Sequence, residues 1–296
     1  MNLNPMKTMI ERKTDNSHFF EVLPRLASIF LIVLFATVVN AQNATMVGIL
    51  PSEKEVVEDF SVRAGMGSAT DEYLSPNEYN GFSIGFKLDR MSSRNEKKMF
   101  CYSKNRSSLL FCDMKNKAGN GVQLEMAGSI VHVWEAPLLH YRNYDLLAGP
   151  SVCGSIDALY NLRNSNNPAN VHGMLAAGLE FDNLFRFKVG RLPIALDASF
   201  NMPLTGIFFV PEYNLPYYLL FEERLYGKTI HFMSPFNVTC LYNDVAFFFP
   251  VGKNQLSLSM SMDCTVHNLG GNATVISHCL FGLGYVHRFE HKYNGR

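Results

Sequence analysis

Long stretches of the chain alternate large apolar residues with small or charged residues at every second position. The clearest example is Cys279–Glu290, where Phe281 and Tyr285 belong to one face and Gly282 and Gly284 to the other. A period of two is typical of β-strands whose two faces meet different surroundings. We interpret this segment as the closing strand of a β-barrel, with its apolar face towards lipid and its glycines in a crowded interior near Gly65 and Gly67 of the first strand.

The same alternation recurs along the chain and predicts about ten strands, with eight to twelve allowed. Less regular strands are expected at 99–113, with a break near Asn105–Arg106, and at 236–249. Pro150 is expected to mark a bulge, and the pattern stops at Met202. The clearest alternating segments begin at Phe60, Phe82, Val122, Tyr144, Leu175, Leu192 and Leu256.

The predicted fold class is all-β, a single antiparallel up-and-down transmembrane β-barrel. A soluble β-sandwich also alternates, but no helical pattern is present to cover the apolar face, and closure removes exposed strand edges. The segment that begins at Val122 is also longer than most globular strands. With ten strands, the longest connections fall at the end opposite the termini, as in bacterial outer-membrane barrels.

The first 41 residues resemble a signal peptide. Arg25 precedes an apolar run, Leu26–Val39, and Ala41 provides a small residue before a cleavage point. The run is shorter than the about 20 residues that a spanning helix requires. We therefore expect export, cleavage after Ala41, a periplasmic lead-in over 42–59, the barrel over 60–290 and a short tail over 291–296.

The composition argues against some classes of function but does not identify one. The net charge is zero and charged residues make up 18% of the chain, which gives no support for nucleic-acid binding. All six cysteines follow the apolar run, where oxidation permits disulfides. Cys101 with Cys112, and Cys240 with Cys264, are possible pairs, and unpaired cysteines on strands are an equal alternative. No cofactor-binding or metal-ligand motif is found, so none is predicted.

Five short segments between Leu147 and Phe221 carry a resemblance to a known family. They are Leu147-Ala148-Gly149-Pro150, Asn166-Asn167-Pro168-Ala169, Pro203-Leu204-Thr205-Gly206, Phe209-Val210-Pro211-Glu212-Tyr213 and Tyr217-Tyr218. In their order and spacing they resemble the exported, predicted outer-membrane barrels of Bacteroidetes called domain of unknown function 3316. The resemblance implies a cell-envelope barrel without a known activity. One departure is that the chain continues past Phe289, whereas many barrels end on an aromatic residue.

Charged residues on the small-residue faces are the candidate lumen groups. They could line a pore or bind a polar ligand, or they could pair with one another and plug a narrow barrel, since ten strands leave little free lumen. The candidates are Arg63, Lys87, Glu125, Asp145, Asp157, Glu180, Arg186, Lys188, Asp197, Asp263 and Arg288.

The longest loop is rich in tyrosine and is expected at the outer surface. Tyr213, Tyr217, Tyr218 and Phe221 are its candidate contact residues. Tyrosine suits contact surfaces, although the loop could equally fold over the barrel mouth.

Catalysis is not expected. Ser129, His132 and Glu125 lie on one strand, but His132 is on the opposite face from the other two, so a hydrolytic triad cannot form there.

The sequence therefore supports a non-enzymatic outer-membrane barrel that is structural or binds or transports a small ligand. The membrane lipid is its expected partner. A secreted soluble β-rich binding protein is the second hypothesis, and an envelope lipid hydrolase is the third.

Overall fold

The structure is a computed structural model. It describes residues 48, 50–52, 55–93, 99–165, 167–190, 192–213, 215–251 and 254–290, with Glu290 described by its backbone alone. The predicted signal peptide over 1–41 and the tail over 291–296 lie outside these residues. Within the described ranges, no helix has the length and apolar character needed to cross a membrane.

Eleven strands account for most of the described chain. One short helix, α1 (Tyr217–Glu222), and a 3₁₀ turn, Tyr226–Lys228, lie between the seventh and eighth strands. The strands are β1 (Glu55–Asp71), β2 (Ser75–Ser93), β3 (Tyr102–Asn116), β4 (Val122–Tyr141), β5 (Tyr144–Asn161), β6 (Ala169–Val189), β7 (Leu192–Phe209), β8 (Ile230–Met233), β9 (Val238–Val251), β10 (Asn254–Leu269) and β11 (Asn272–Glu290).

Ten of these strands form a closed antiparallel barrel, which confirms the predicted fold class. Sequential neighbours pair from β1 to β7, β7 then pairs with β9, and β11 closes the ring against β1. The four-residue strand β8 only extends the sheet along the far end of β7. Because the ring is closed, every barrel strand has two partners and no long edge is left unpaired.

Two barrel ends are defined by the strand order. We call the end that holds Glu55 and Glu290, which are paired with each other, the lower end. The opposite, upper end carries the connections 72–74, 117–121, 162–168, 210–237 and 270–271. The longest connection is at the upper end, but most others there are short, because strands continue through many residues that the sequence assigned to turns.

Inward and outward positions alternate along each strand. In β2, Phe82, Ile84 and Phe86 are exposed on the outside, whereas Ser83 and Lys87 are buried inside. Large apolar side chains thus cover the outer surface and polar ones fill the interior, the reverse of a soluble protein. The predicted lipid-facing residues of β11, Phe281 and Tyr285 among them, are also on the outside, with exposed fractions of 58% and 49%.

The predicted end of alternation at Met202 was wrong, because β7 continues to Phe209. Between β6 and β7 the register shifts where Ala177 faces Thr205 and Gly178 faces Pro203. The extra residue, Leu204, reverses which positions face inward. A β-bulge therefore hides the second half of this strand from a search for strict period-two alternation.

Other local predictions also differ from the structure. Strand β3 runs without a break through Asn105. The register of β5 shows no shift at Pro150, and the irregularity between β4 and β5 lies between Pro137 and Leu139. A proline on a strand does not by itself locate the bulge, because the unpaired position is decided by both strands.

The glycines of β11 face the interior, but their neighbours differ from the prediction. Gly282 pairs with Arg63 and Gly284 with Ser61, whereas Gly65 and Gly67 pair with residues nearer the upper end of β11. A Cβ at Gly284 would overlap Ser257 Oγ and Asp59 Oδ1. Only a glycine leaves room for these polar side chains at this position.

Candidate functional site

All eleven candidate lumen charges lie at inward-facing positions. Six of them (Arg63, Lys87, Glu125, Asp145, Glu180 and Asp197) are buried, and the other five are half-buried. The arrangement follows from alternation alone, since each residue lies an even number of positions from a small inward-facing residue on its strand.

The middle of the barrel is crossed by salt bridges that we call the central ion network. Asp244 of β9 lies 2.6 Å from Arg63 Nη1 of β1 and 2.9 Å from Lys87 Nζ of β2. Lys87 also contacts Asp89 on its own strand at 2.6 Å. One carboxylate thus balances two cations from strands that are not its neighbours, and it joins opposite walls of the barrel.

A second part of the network reaches from β3 to β6. Lys104 Nζ lies 2.6 Å from Asp182 and 3.1 Å from Glu180. Arg106 Nη2 lies 3.0 Å from Glu180, and its Nε lies 3.3 Å from Asp89. Basic residues of β1, β2 and β3 therefore face acidic residues of β6 and β9 across the lumen.

Lys104 and Arg106 were not among the predicted lumen charges, because a strand break was predicted beside them. In the structure, Lys104, Arg106, Leu110 and Cys112 are buried at even-numbered positions of one continuous strand, β3, and exposed residues lie between them. Glu135 was missed because β4 is longer than predicted. It is fully buried, and its carboxylate lies within 4.8 Å of those of Glu180 and Asp182.

A cavity of about 140 Å³ lies in the lumen. Its wall includes three cations of the central ion network, Arg63, Lys87 and Arg106. The other wall residues include apolar side chains and the polar residues Glu125, Asp157, Asp263 and His278. The volume is enough for a few water molecules or a small ligand. The cavity is therefore a small mixed polar and apolar chamber rather than a wide aqueous channel.

One group beside the cavity combines three different ligand-type side chains. The Cys112 thiol, the Glu125 carboxylate and the His278 imidazole each offer an atom within 4.8 Å of the other two. His278 Nε2 lies 3.1 Å from the Glu125 carboxylate. Ser83 Oγ lies 3.0 Å from Cys112 Sγ. We call this group the Cys–Glu–His cluster.

The lower end is filled by an apolar layer and by a short segment before β1. The buried layer includes Leu147, Phe248 and Val286, and Leu50 packs against it. Arg288 of β11 donates hydrogen bonds to the carbonyls of Gly48 and Leu50. These contacts hold part of the predicted periplasmic lead-in against the inside of the barrel wall.

The upper end is covered by residues 210–213 and 215–229, which we call the upper cap. Tyr217 Oη accepts a hydrogen bond from Val171 N–H (2.7 Å) and donates one to Asn170 (3.1 Å). Tyr73 Oη donates to the Leu215 carbonyl (2.8 Å). Of the predicted contact residues, Tyr217 is thus directed into the barrel mouth, whereas Tyr213, Tyr218 and Phe221 are exposed.

Burial affects the ionisation of Tyr217 in the cap and of Tyr73, which contacts the cap. Burial, together with the charge of nearby Asp71, raises the pKa of Tyr73 to about 12. Burial also raises the pKa of Tyr217. Because an ionised tyrosine would be poorly solvated in these positions, both side chains keep their protons to a higher pH than an exposed tyrosine would.

The triad considered in the sequence does not assemble. His132 is half-buried on the outside of β4, 2.6 Å from Asn105, whereas Glu125 is buried inside. Ser129 lies 2.7 Å from Ser108 in the lumen. All six cysteines are free, so neither suggested disulfide forms.

A closed barrel with an apolar outside and a charged inside is typical of outer-membrane β-barrel proteins. The chain belongs to the protein family of unknown function DUF3316, whose model matches residues 27–294. No curated protein shows significant similarity to the chain.

Solved structures of similar shape include three proteins with low identity to the chain. The outer membrane protease OmpT from Escherichia coli has a TM-score of 0.44 at 8% identity, covering 83% of this chain and 100% of that chain. An outer membrane channel from Pseudomonas putida F1 has a TM-score of 0.37 at 11% identity, with 84% and 100% covered. The translocator domain of the autotransporter NalP from Neisseria meningitidis has a TM-score of 0.33 at 7% identity, with 90% and 97% covered.

Proposed function

We propose that the protein is an outer-membrane β-barrel that is non-enzymatic and holds a small binding chamber instead of an open pore. The observation that carries the membrane location is the inverted surface, with exposed Phe82, Ile84 and Phe86 outside and buried Lys87 and Arg63 inside. Contiguous apolar surface of this extent is disfavoured in water. The expected signal peptide agrees with export to this membrane.

The central ion network supports a closed rather than an open lumen. Four cations, Arg63, Lys87, Lys104 and Arg106, bridge non-adjacent strands through buried carboxylates. The apolar layer lies at the lower end and the upper cap at the other. A solute would have to break several buried ion pairs to cross, and separating a buried pair is strongly unfavourable.

The chamber supports binding of a small polar ligand as the specific activity. Its mixed wall of carboxylates, cations and apolar groups offers both charge and hydrogen-bonding partners in a volume of about 140 Å³. A purely structural role would leave the chamber filled with water. Transport would require the central ion network to rearrange.

The membrane location is tested by one outward substitution and one matched control. Ile84→Arg puts a charge near the middle of β2 on the outer face, where lipid contact predicts a loss of about 2–4 kcal/mol in the free energy of unfolding. Thr239→Arg, on an exposed outward position near the upper end, is the control and should change little. Urea unfolding in lipid vesicles measures both. Equal, small effects would favour the secreted soluble alternative.

Conduction is tested on purified wild-type protein in planar bilayers. Cell fractionation and the gel mobility of unheated samples first verify that the protein is a folded barrel in the outer membrane. We expect no steady single-channel conductance, because the central ion network closes the lumen. Stable conductance steps would overturn the closed chamber and favour a pore.

A further inference from the structure

We propose that the Cys–Glu–His cluster binds one zinc-class transition-metal ion at the edge of the lumen cavity. Cys112 Sγ, Glu125 Oε and His278 Nε2 would be the three protein ligands. The inference names a ligand class for the proposed chamber and rests on that chamber. It does not depend on whether the barrel conducts.

The register brings two of the ligands together directly. Cys112 of β3 is paired with Glu125 of β4, and both side chains face inward. Ser83 of β2 is the next residue in the same row, paired with Cys112 on its other side. Because directly paired residues share a face of the sheet, the thiol and the carboxylate necessarily stand side by side.

The third ligand comes from β11, three strands away around the wall from β3. His278 is paired with Gly67 of β1. A Cβ at Gly67 would lie 2.8 Å from each of three atoms, Cys112 Sγ, His278 Cδ2 and Ser83 Oγ. Because Gly67 has no side chain, the imidazole can extend over β1 and reach the thiol and the carboxylate.

The cluster is buried, and a carboxylate beside it is unsatisfied. Cys112 is 4% exposed and Glu125 is 3% exposed. Both carboxylate oxygens of Glu125 lie 3.1 Å from His278 Nε2, although only Oε2 has the geometry of a hydrogen bond. Asp157 Oδ1, in the adjoining cavity wall, has no hydrogen-bond partner among the described residues. Unsatisfied buried carboxylate oxygens are unfavourable, and a cation would satisfy this one.

The ligand types select the metal. A thiolate with an imidazole and a carboxylate suits zinc and similar transition metals, whereas calcium and magnesium prefer oxygen ligands alone. Ligand atoms around tetrahedral zinc stand about 3.3–3.8 Å apart, given bonds of about 2.0–2.3 Å. Small rotations of Cys112 would bring its sulfur into this range. On binding, the thiol proton and the proton that His278 Nε2 shares with Glu125 are released to solvent, which frees the sulfur and nitrogen lone pairs for the metal.

Neighbouring residues support such a site. Ser83 can donate its hydroxyl hydrogen to the metal-bound sulfur, and Asp263 is paired with His278 across β10 and β11. Partners of this kind orient metal ligands and raise affinity. The cavity borders Glu125, Asp157 and His278, so a water molecule or the Asp157 carboxylate can complete a four-coordinate site.

The test uses full-length protein folded in detergent, stripped of metal and kept reduced. Titration with Co²⁺ alone should give one ion per barrel and a thiolate-to-cobalt charge-transfer band, which added Zn²⁺ then abolishes by displacement. Cys112→Ser should remove the band and weaken binding at least about 100-fold, and Ser83→Ala should weaken it roughly 10-fold. Cys240→Ser changes a buried cysteine that does not line the cavity and should behave as the wild type.

A second measurement uses the wild-type protein, so that its result does not depend on the folding of a variant. X-ray absorption of the zinc-loaded wild type should detect one sulfur at about 2.3 Å with nitrogen and oxygen ligands at about 2.0–2.2 Å. The same sample is checked for a folded barrel by its unheated gel mobility. A folded barrel with no bound metal, or with no sulfur ligand, overturns the metal site and leaves the barrel proposal intact, whereas an unfolded sample counts against both.

Discussion

The central ion network lies in the middle of the lumen and the upper cap lies over its upper end, and different interactions hold the two in place. In the network, charges carried on rigid strands meet across the barrel, as where Asp244 contacts Arg63 and Lys87. In the cap, a loop with one short helix is held by neutral hydrogen bonds from Tyr73 and Tyr217. Removing one partner of a buried ion pair strongly lowers the free energy of unfolding, whereas a single neutral hydrogen bond contributes only modestly to it. The middle should therefore be the stable part and the cap the part that opens.

The largest effect is expected from Asp244→Ala. Removing this carboxylate leaves Arg63 and Lys87 without their shared partner in the lumen, and such a loss costs about 3–5 kcal/mol. Urea unfolding in lipid vesicles, followed by intrinsic fluorescence and gel mobility, measures the change. The matched control is Glu58→Ala, which removes a partly exposed partner 3.5 Å from Arg90.

The control should lose no more than about 1 kcal/mol, as for surface ion pairs. If both variants lose the same small amount, the lumen is wet enough to screen the network, and the contrast with the cap disappears.

An intermediate effect is expected from Tyr217→Phe. The substitution removes the hydroxyl that accepts from Val171 N–H and donates to the buried Asn170 Oδ1, and this loss costs roughly 1–3 kcal/mol. The loss should appear as local opening of the upper cap, detected as faster hydrogen exchange there, while exchange in the middle of β3 stays unchanged. Tyr218→Phe, at a residue that is 65% exposed, is the control and should leave exchange as in the wild type. Faster exchange throughout the barrel would show that cap and network are one cooperative unit.

The smallest effect concerns alkaline pH. The pKa of Tyr73 is raised to about 12 by burial and by Asp71. Tyr73 therefore keeps its proton while the cap is closed and releases it near the ordinary tyrosine pKa when the cap opens. Its stabilising contribution is complete below about pH 10 and is lost as the pH rises towards 12. Cap exchange, corrected for intrinsic rates, should therefore increase over this window.

Tyr73→Phe should reduce this pH dependence, because phenylalanine does not ionise. Tyr218→Phe again serves as the control and should keep the wild-type profile. An unchanged profile in Tyr73→Phe would assign the alkaline opening to another group, such as Tyr217.

The sequence predicted the barrel well because alternation is a local property. A residue's face is decided by its parity along one strand, so all eleven candidate charges were assigned inward positions without knowledge of their partners. The same reasoning failed at the bulge near Leu204, where one inserted residue reverses parity. It also failed around Arg106, where Asn105 and Ser107 place polar groups on the outer face and blur the contrast between the two sides.

The candidate sites were only partly predictable. The sequence gives the types of Cys112, Glu125 and His278, but they are separated by up to 166 positions and follow no metal-binding spacing. Only the successive pairing of β4, β3, β2, β1 and β11 brings them together. The role of Tyr217 was left open between surface contact and cap for the same reason.

The sequence by itself determined the fold class, the face of most strand residues and the location of the longest loop, since each follows from short-range pattern. The tertiary structure alone decided which lumen charges pair, how the cap seats on the barrel mouth and that a thiol, a carboxylate and an imidazole meet over Gly67. These contacts join strands that are distant in sequence, and they depend on the register and closure of the whole ring. No local sequence pattern predicts that register.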